Sequence, residues 1–475
     1  MKRFMVVLIA SLVAVAAWAQ DLQVNGAWSG RLKVEGTELR LVLHIDGDAC
    51  TLDSPDQGGM GIKGELERTA TGIGFSVPSI GVRYEGVCLG TMIVGTFRQN
   101  GVSIPLTLKP GVARLNRPQT PVPPFPYRTE EVSFRNGDAV LKGTLVTPPG
   151  CTRETPVLLM VTGSGLQNRD EEIFEHRPFA VIADALARQG FATLRYDDRG
   201  YGESTGELTG ATTEDFEGDA LAGVNLLRSR FDRVGVLGHS EGGTIALMLA
   251  AEGKVDFVVS LAGNVVSGEK TLLAQNRLAL GQAGYSEEVV GLYCKELERI
   301  FDAAKAGDSA GAPAASAASA AKSSAGASSG SSGAASSGAS ASSESSATVS
   351  SESSVSQVSA GLPAELRQNL QAVKAQCATP YMRCTLALDL SDRLGKITCP
   401  VLALNGTKDW QVNCEENLGL LRKGLGGPKE IHAVEGVNHL FQHCETGSPS
   451  EYKGIEETFA PGALALIADW LKRLY

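Results

Sequence analysis

The chain has 475 residues, with 43 basic and 53 acidic side chains and a formal net charge of −10 at neutral pH. With no basic stripe to offset it, that balance excludes a typical nucleic-acid binder. Charged residues make up 20% and apolar ones 43%, enough to bury a core, and the single long apolar run lies at the extreme N-terminus, which excludes a protein with several membrane spans.

Lys2 and Arg3 precede an apolar run from Phe4 to Ala17, and Ala17-Trp18-Ala19 supplies a small-x-small cleavage site. Residues 1–19 therefore read as a secretory signal, and the mature chain is expected in the periplasm or outside the cell. No membrane span is expected after its removal. The nine cysteines are an odd number, so at least one is unpaired or pairs with another molecule. Cys50 with Cys88 and Cys414 with Cys444 are candidate pairs, which spacing alone does not decide. No spacing of Cys or His indicates a metal site.

Residues 20–117 read as a small all-β domain. Alternation is visible from Glu38 to Ile45, and turn residues recur every eight to twelve positions. Trp28, Phe75, Tyr84 and Phe97 suit a packed core better than a ligand groove. Five prolines between Pro118 and Pro126 mark a stiff extended linker.

From residue 127 to 475 strands alternate with helices. Strands are predicted at 156–161, 191–196, 234–237, 257–261, 400–404 and 429–434. Helices are predicted at 179–188, 212–228, 242–251 and 461–474. This order implies a mostly parallel sheet covered by helices. A cap is expected at about 266–395, with helices at 269–301 and 363–378. Within it, residues 302–361 contain no Leu, Ile, Met or aromatic residue and read as a low-complexity insertion.

The pattern Gly-x-Ser-x-Gly occurs around Ser204, Ser240, Ser309 and Ser328. It carries chemistry only as a tight turn between a buried strand and a helix. Ser309 and Ser328 lie in the insertion, and Ser204 follows a polar loop. Ser240 alone has a strand before it and a helix after it, so it is the candidate nucleophile. A serine hydroxyl needs a base, and the expected chain order is Ser, acid, His. His439 lies in a loop after the 429–434 strand and is the candidate base. Asp409 ends the turn after the 400–404 strand and is the candidate acid. The backbone N–H groups of Glu241 and Ser164 are the candidate oxyanion donors. The Glu241 side chain either holds a neighbouring loop or places charge at the mouth of the site.

Four segments together, Thr162–Asp170, Tyr196–Gly200, Gly238–Gly243 and Asn438–Gln442, resemble the bacterial α/β-hydrolases of the EstD esterase type. These are relatives of serine aminopeptidase and lipase-like hydrolases. The resemblance covers about 127–300 and 361–475. It implies an α/β-hydrolase fold, a Ser-Asp-His triad at Ser240, Asp409 and His439, and a carboxylesterase acting on small-molecule, short-to-medium acyl esters without a cofactor. The β-rich domain resembles the leader domain of secreted members. Two other readings stand beside it. One is a serine aminopeptidase, with Glu296 or Glu298 holding a substrate ammonium; the other is a secreted ligand-binding protein that uses the hydrolase domain as scaffold. The sequence does not give the oligomeric state.

Overall fold

The computed structural model describes residues 24–34, 37–57, 59–307 and 361–475. The predicted signal segment and nearly all of the low-complexity insertion, with Ser309 and Ser328, lie outside the described residues. The chain forms two compact units, one ending at Leu115 and one starting at Asn116. Among the described residues no helix is long and apolar enough to cross a membrane.

The first unit is a closed barrel of eight strands, β1 (Gly26–Val34), β2 (Thr37–Asp46), β3 (Ala49–Ser54), β4 (Gly59–Arg68), β5 (Gly72–Val77), β6 (Val82–Leu89), β7 (Met92–Gln99) and β8 (Val102–Pro110). Each strand pairs antiparallel with the next, and β1 pairs with β8 to close the ring. Closure removes the unpaired edges that an open sheet would expose. Trp28, Phe75, Tyr84 and Phe97 all lie in the barrel core. Their polar tips are satisfied inside it. The Trp28 Nε1–H donates to the Val24 carbonyl at 2.7 Å, and the Tyr84 hydroxyl lies 3.1 Å from the carbonyls of Ile93 and Leu106. Arg40 and Asp56 form a buried ion pair in which Nε and Nη2 both donate to Oδ1, while Oδ2 accepts the Arg40 N–H.

All nine cysteines are free, so neither candidate disulfide is present. Cys50 lies on β3 and Cys88 on β6, which are not neighbours in the barrel. The Cys414 and Cys444 thiols each face a main-chain carbonyl, of Asn405 and Gly436 respectively.

The second unit is built on an eight-stranded sheet in the order β16-β15-β14-β13-β11-β12-β10-β9. The strands are β9 (Arg128–Asn136), β10 (Ala139–Thr147), β11 (Val157–Val161), β12 (Ala192–Tyr196), β13 (Val234–His239), β14 (Phe257–Leu261), β15 (Val401–Gly406) and β16 (Lys429–Val434). β9 and β10 are antiparallel, and every pairing from β12 to β16 is parallel. Helices cover both faces. One core packs beneath α2 (Thr213–Arg228), α3 (Glu241–Ala251) and α8 (Cys414–Gly424). The other packs beneath α1 (Pro178–Arg188) and α9 (Pro461–Leu474). Strand alternation divides the two: Val157, Leu159 and Val161 of β11 join the first core, and Leu158 and Met160 the second. α2 opens with a reciprocal capping box between Thr212 and Asp215.

Between β14 and β15 lie the cap helices α4 (Gly268–Gln282), α5 (Glu287–Lys305), α6 (Ala364–Cys377) and α7 (Pro380–Ala387). They bury a core of their own around Tyr293, Leu297, Phe301, Leu366 and Leu370. The single helix expected at 269–301 is two, because the chain turns at Gly284, whose φ of 84° favours glycine. β9, β10, α7 and α8 were not predicted.

Arg117, placed by sequence at the end of the all-β domain, and Gln119 of the expected linker both bond within the second unit. Arg117 donates to the carbonyl of Phe174 at 2.9 Å, of Ile455 at 2.6 Å and of Lys453 at 2.9 Å. The Gln119 amide donates to the Phe459 carbonyl and accepts from its N–H. Arg117→Ala would strand three carbonyls and is expected to cost about 2–3 kcal/mol. Urea unfolding followed by tryptophan fluorescence should show the midpoint fall.

Candidate active site

Ser240 stands between β13 and α3 with φ 52° and ψ −119°, a left-handed conformation that a non-glycine residue adopts only when its surroundings hold it. The flanking glycines make that turn possible. A Cβ on Gly238 would lie 1.9 Å from the Gly242 carbonyl oxygen, and one on Gly242 would lie 2.0 Å from the Val161 carbonyl oxygen. Strand, helix and the end of β11 therefore meet with no room for a side chain. The Ser240 N–H donates to Leu261 at 2.8 Å, which ties the turn to β14.

The loop after β11 faces this turn. A Cβ on Gly163 would lie 3.2 Å from the Ser240 Cβ. Ser164 is therefore next to the elbow, and its side is exposed. The Glu241 N–H heads α3, where the first turn of a helix leaves its amides without an internal acceptor. The segments carrying both main-chain donors thus adjoin the Ser240 turn.

Two of the quoted motifs lock that loop in place. Thr162 donates to Asp198 at 2.8 Å, and the Gln167 N–H donates to the same carboxylate at 2.7 Å. Burial raises the Asp198 pKa well above the usual carboxylate value, against the pull of those two donors. Arg169 pairs with Asp197 and also reaches Glu131 and Glu203. Arg195 pairs with Asp170, and Arg199 is bidentate to Asp219.

Asp409 follows β15, and its side chain is fully buried. Its Oδ1 accepts the N–H groups of Gln411 at 2.7 Å and Val412 at 2.9 Å. Its Oδ2 lies 2.8 Å from His439 Nδ1. With Nδ1–H committed to the carboxylate, Nε2 of a neutral His439 is left as a base. The turn carrying His439 is shaped by Asn438, whose Oδ1 accepts the N–H groups of Leu440 and Gln442, both at 3.0 Å. The Lys408 N–H donates to Val437, joining this loop to that of Asp409. The ring of His239, the residue before Ser240, lies 4.8 Å from the ring of His439. The structure thus places the Asp409–His439 pair beside His239, the neighbour of Ser240.

Ser204 and the remaining histidines lie elsewhere. The Ser204 hydroxyl donates to the Asp197 carbonyl and accepts the Lys142 N–H, so it is committed to the backbone. His44 pairs with Asp53, His432 with Glu430, and His443 with Glu457. His176 is buried between Thr458 and the Tyr452 carbonyl, and burial, helped by Arg117, lowers its pKa to about 4.

The Glu241 side chain does hold a neighbour. Its carboxylate accepts from Thr213 at 2.6 Å and from Tyr381 of cap helix α7 at 2.7 Å. Burial, with Glu241 beside it, raises the Tyr381 pKa, so the phenol stays a donor. Tyr381→Phe keeps the edge contact with Phe216 but removes this bond. It is expected to free α7 by about 1.5 kcal/mol, about a tenfold rise in amide exchange confined to that helix. Hydrogen-exchange mass spectrometry would measure it, and unchanged exchange in α7 would contradict it. Sequence reading did not find Tyr381, Thr213, Glu171 or Asn438 as site residues.

The mostly parallel sheet, its flanking helices and the serine elbow make this unit an α/β-hydrolase. Residues 136–443, nearly two thirds of the chain, match the X-Pro dipeptidyl-peptidase (S15) family. Esterase EstD of Thermotoga maritima is 31% identical over 174 residues, 35% of this chain and 42% of EstD, so the chain spans less than half of that relative. Among solved structures, Est1E from Butyrivibrio proteoclasticus with ferulic acid bound covers 72% of this chain and 97% of its own at 15% identity, with a TM-score of 0.38. Proline iminopeptidase of Mycobacterium smegmatis covers 72% and 98% at 15% identity, with a TM-score of 0.39. By the extent of its family match, the chain belongs to the X-Pro dipeptidyl-peptidase (S15) family of hydrolases.

Proposed function

We propose that the protein is a serine carboxylic ester hydrolase acting on short-to-medium acyl esters outside the cytoplasm. The reading rests on the buried 2.8 Å contact between Asp409 and His439 beside a serine held at positive φ. His439 Nε2 takes the Ser240 proton as Ser240 Oγ attacks the ester carbonyl. Asp409 keeps the imidazole in the required tautomer and stabilises its charged form. The oxyanion is met by the N–H groups of Ser164 and Glu241. His439 then protonates the departing alcohol, leaving an acyl-Ser240. It next activates a water that releases the acid and returns the proton to Ser240. No step requires a cofactor. The likeness to EstD supports an ester as the substrate.

The family match favours a second reading, a peptidase that releases residues from a peptide N-terminus. Such an enzyme needs a carboxylate for the substrate ammonium. Glu296 is buried and already paired with Arg299 at 2.7 Å, and Glu298 is exposed on α5. Neither is a free anion in a closed site.

The two readings separate in one assay. The purified chain is offered p-nitrophenyl acetate, butyrate and octanoate, alongside aminoacyl and Xaa-Pro p-nitroanilides. Ester kcat/KM is expected to exceed anilide kcat/KM by about 100-fold or more, a difference in transition-state stabilisation of about 2.7 kcal/mol. Dominant anilide turnover would move the assignment to the peptidase.

A further inference from the structure

His239 ends β13, immediately before Ser240, and its ring is buried. Nδ1 lies 2.9 Å from Glu171 Oε1, and Nε2 lies 2.9 Å from the main-chain oxygen of His439. Both neighbours are acceptors, and a neutral imidazole has only one N–H. With Glu171 ionised, both bonds are made only by a ring that carries two protons. Burial opposes that charged form, but the Glu171 carboxylate and the His439 carbonyl outweigh it and raise the His239 pKa.

Glu171 does more than balance the ring. The same Oε1 accepts the Gly163 N–H at 2.7 Å. Glu171 is itself held at φ 52°, which its surroundings must enforce. Its carboxylate and the His239 ring are 6% and 8% exposed. The cavity beside them, lined by Phe179, Ile182, Leu261 and Phe459, has a volume of about 10 Å³. That is at the lower limit for one water, and apart from the pair itself the walls are apolar, so solvent is a poor substitute for either partner.

One buried pair therefore joins three segments: the loop carrying Ser164, the turn carrying Ser240 and the loop carrying His439. We propose that Glu171 and His239 are positioning residues for the acyl-transfer reaction, holding the Ser164 N–H and the His439 ring in register with Ser240. The proposal rests on the triad reading given above. Neither residue touches the reacting atoms; each acts through the segment it ties down.

The test uses the full chain with Glu171→Gln, His239→Gln and the double variant, assayed on p-nitrophenyl butyrate, with the rate of Ser240 labelling by diethyl p-nitrophenyl phosphate measured in parallel. Glutamine keeps the size of each group and removes the charge. Each single variant is expected to lose about 30–100-fold in kcat with KM within about twofold, because uniform binding is untouched and only transition-state contacts are misplaced. Labelling should slow by a similar factor. The double variant should be no worse than either single one, since the pair acts as a unit. If the unmodified chain turns over the ester and both single variants match it, the positioning role is overturned. If losses multiply in the double variant, or follow only the fraction of unfolded protein seen by circular dichroism, the pair serves stability alone and the proposal also fails. An unmodified chain inactive on esters would instead sink the ester reading. The labelling rates would still decide the role of the pair, because they require only a reactive serine.

Discussion

Ser240→Ala is expected to lower kcat on p-nitrophenyl butyrate by about 10⁵–10⁶-fold while leaving the fold intact. The substitution removes one oxygen from a turn whose shape is set by Gly238, Gly242 and the Ser240 N–H bond to Leu261, and alanine keeps all of these. The loss should therefore appear in turnover and not in thermal midpoint. Some acceleration over buffer should persist, because the Ser164 and Glu241 amides can still polarise a bound carbonyl. A variant retaining even one per cent of the parent rate would mean that another group attacks the ester, and the elbow would lose its assignment.

Asp409→Asn carries the second-largest expected effect, a fall of about 10⁴-fold in kcat, or about 5.5 kcal/mol in the barrier. Asparagine can keep the two N–H bonds from Gln411 and Val412 on its oxygen. Its amide nitrogen then faces His439 Nδ1, where the carboxylate stood. Two donors cannot share that contact, so the ring is driven to carry its proton on Nε2 and loses its basic nitrogen toward Ser240. Burst kinetics should show acylation slowed. A drop below tenfold, with the fold unchanged, would make Asp409 a turn-forming residue only.

What could be read from the chain, and what could not, follows from the range of the interactions. The serine elbow was legible because strand, turn and helix are contiguous, and their apolar flanks separate Ser240 from three other copies of its pattern. Asp409 and His439 were chosen as the acid and base by the chain order Ser, acid, His expected after a serine elbow and by their places in loops after strands. β9 was missed because only Phe134 of its residues is buried, which leaves charged and polar side chains along most of its length. α8 was missed because its apolar face is short: Leu418 and Leu421 are buried within a turn of each other. Glu171 and Tyr381 carry no local signal at all. The first meets His239 across 68 positions and the second meets Glu241 across 140. Pairings of that range leave no trace in periodicity, only in the finished fold.

The bond from Tyr381 to Glu241 also bears on how such a protein changes over generations. Cap helix α7 and the turn carrying Ser240 share the Glu241 carboxylate, so a mutation that reshapes the cap at Tyr381 also changes the hydrogen bonding of the residue next to Ser240. Selectivity and speed are then not separately adjustable traits. Lineages that drift in substrate choice should carry paired replacements at the positions of Tyr381, Glu241 and Thr213, and single replacements there should be rare.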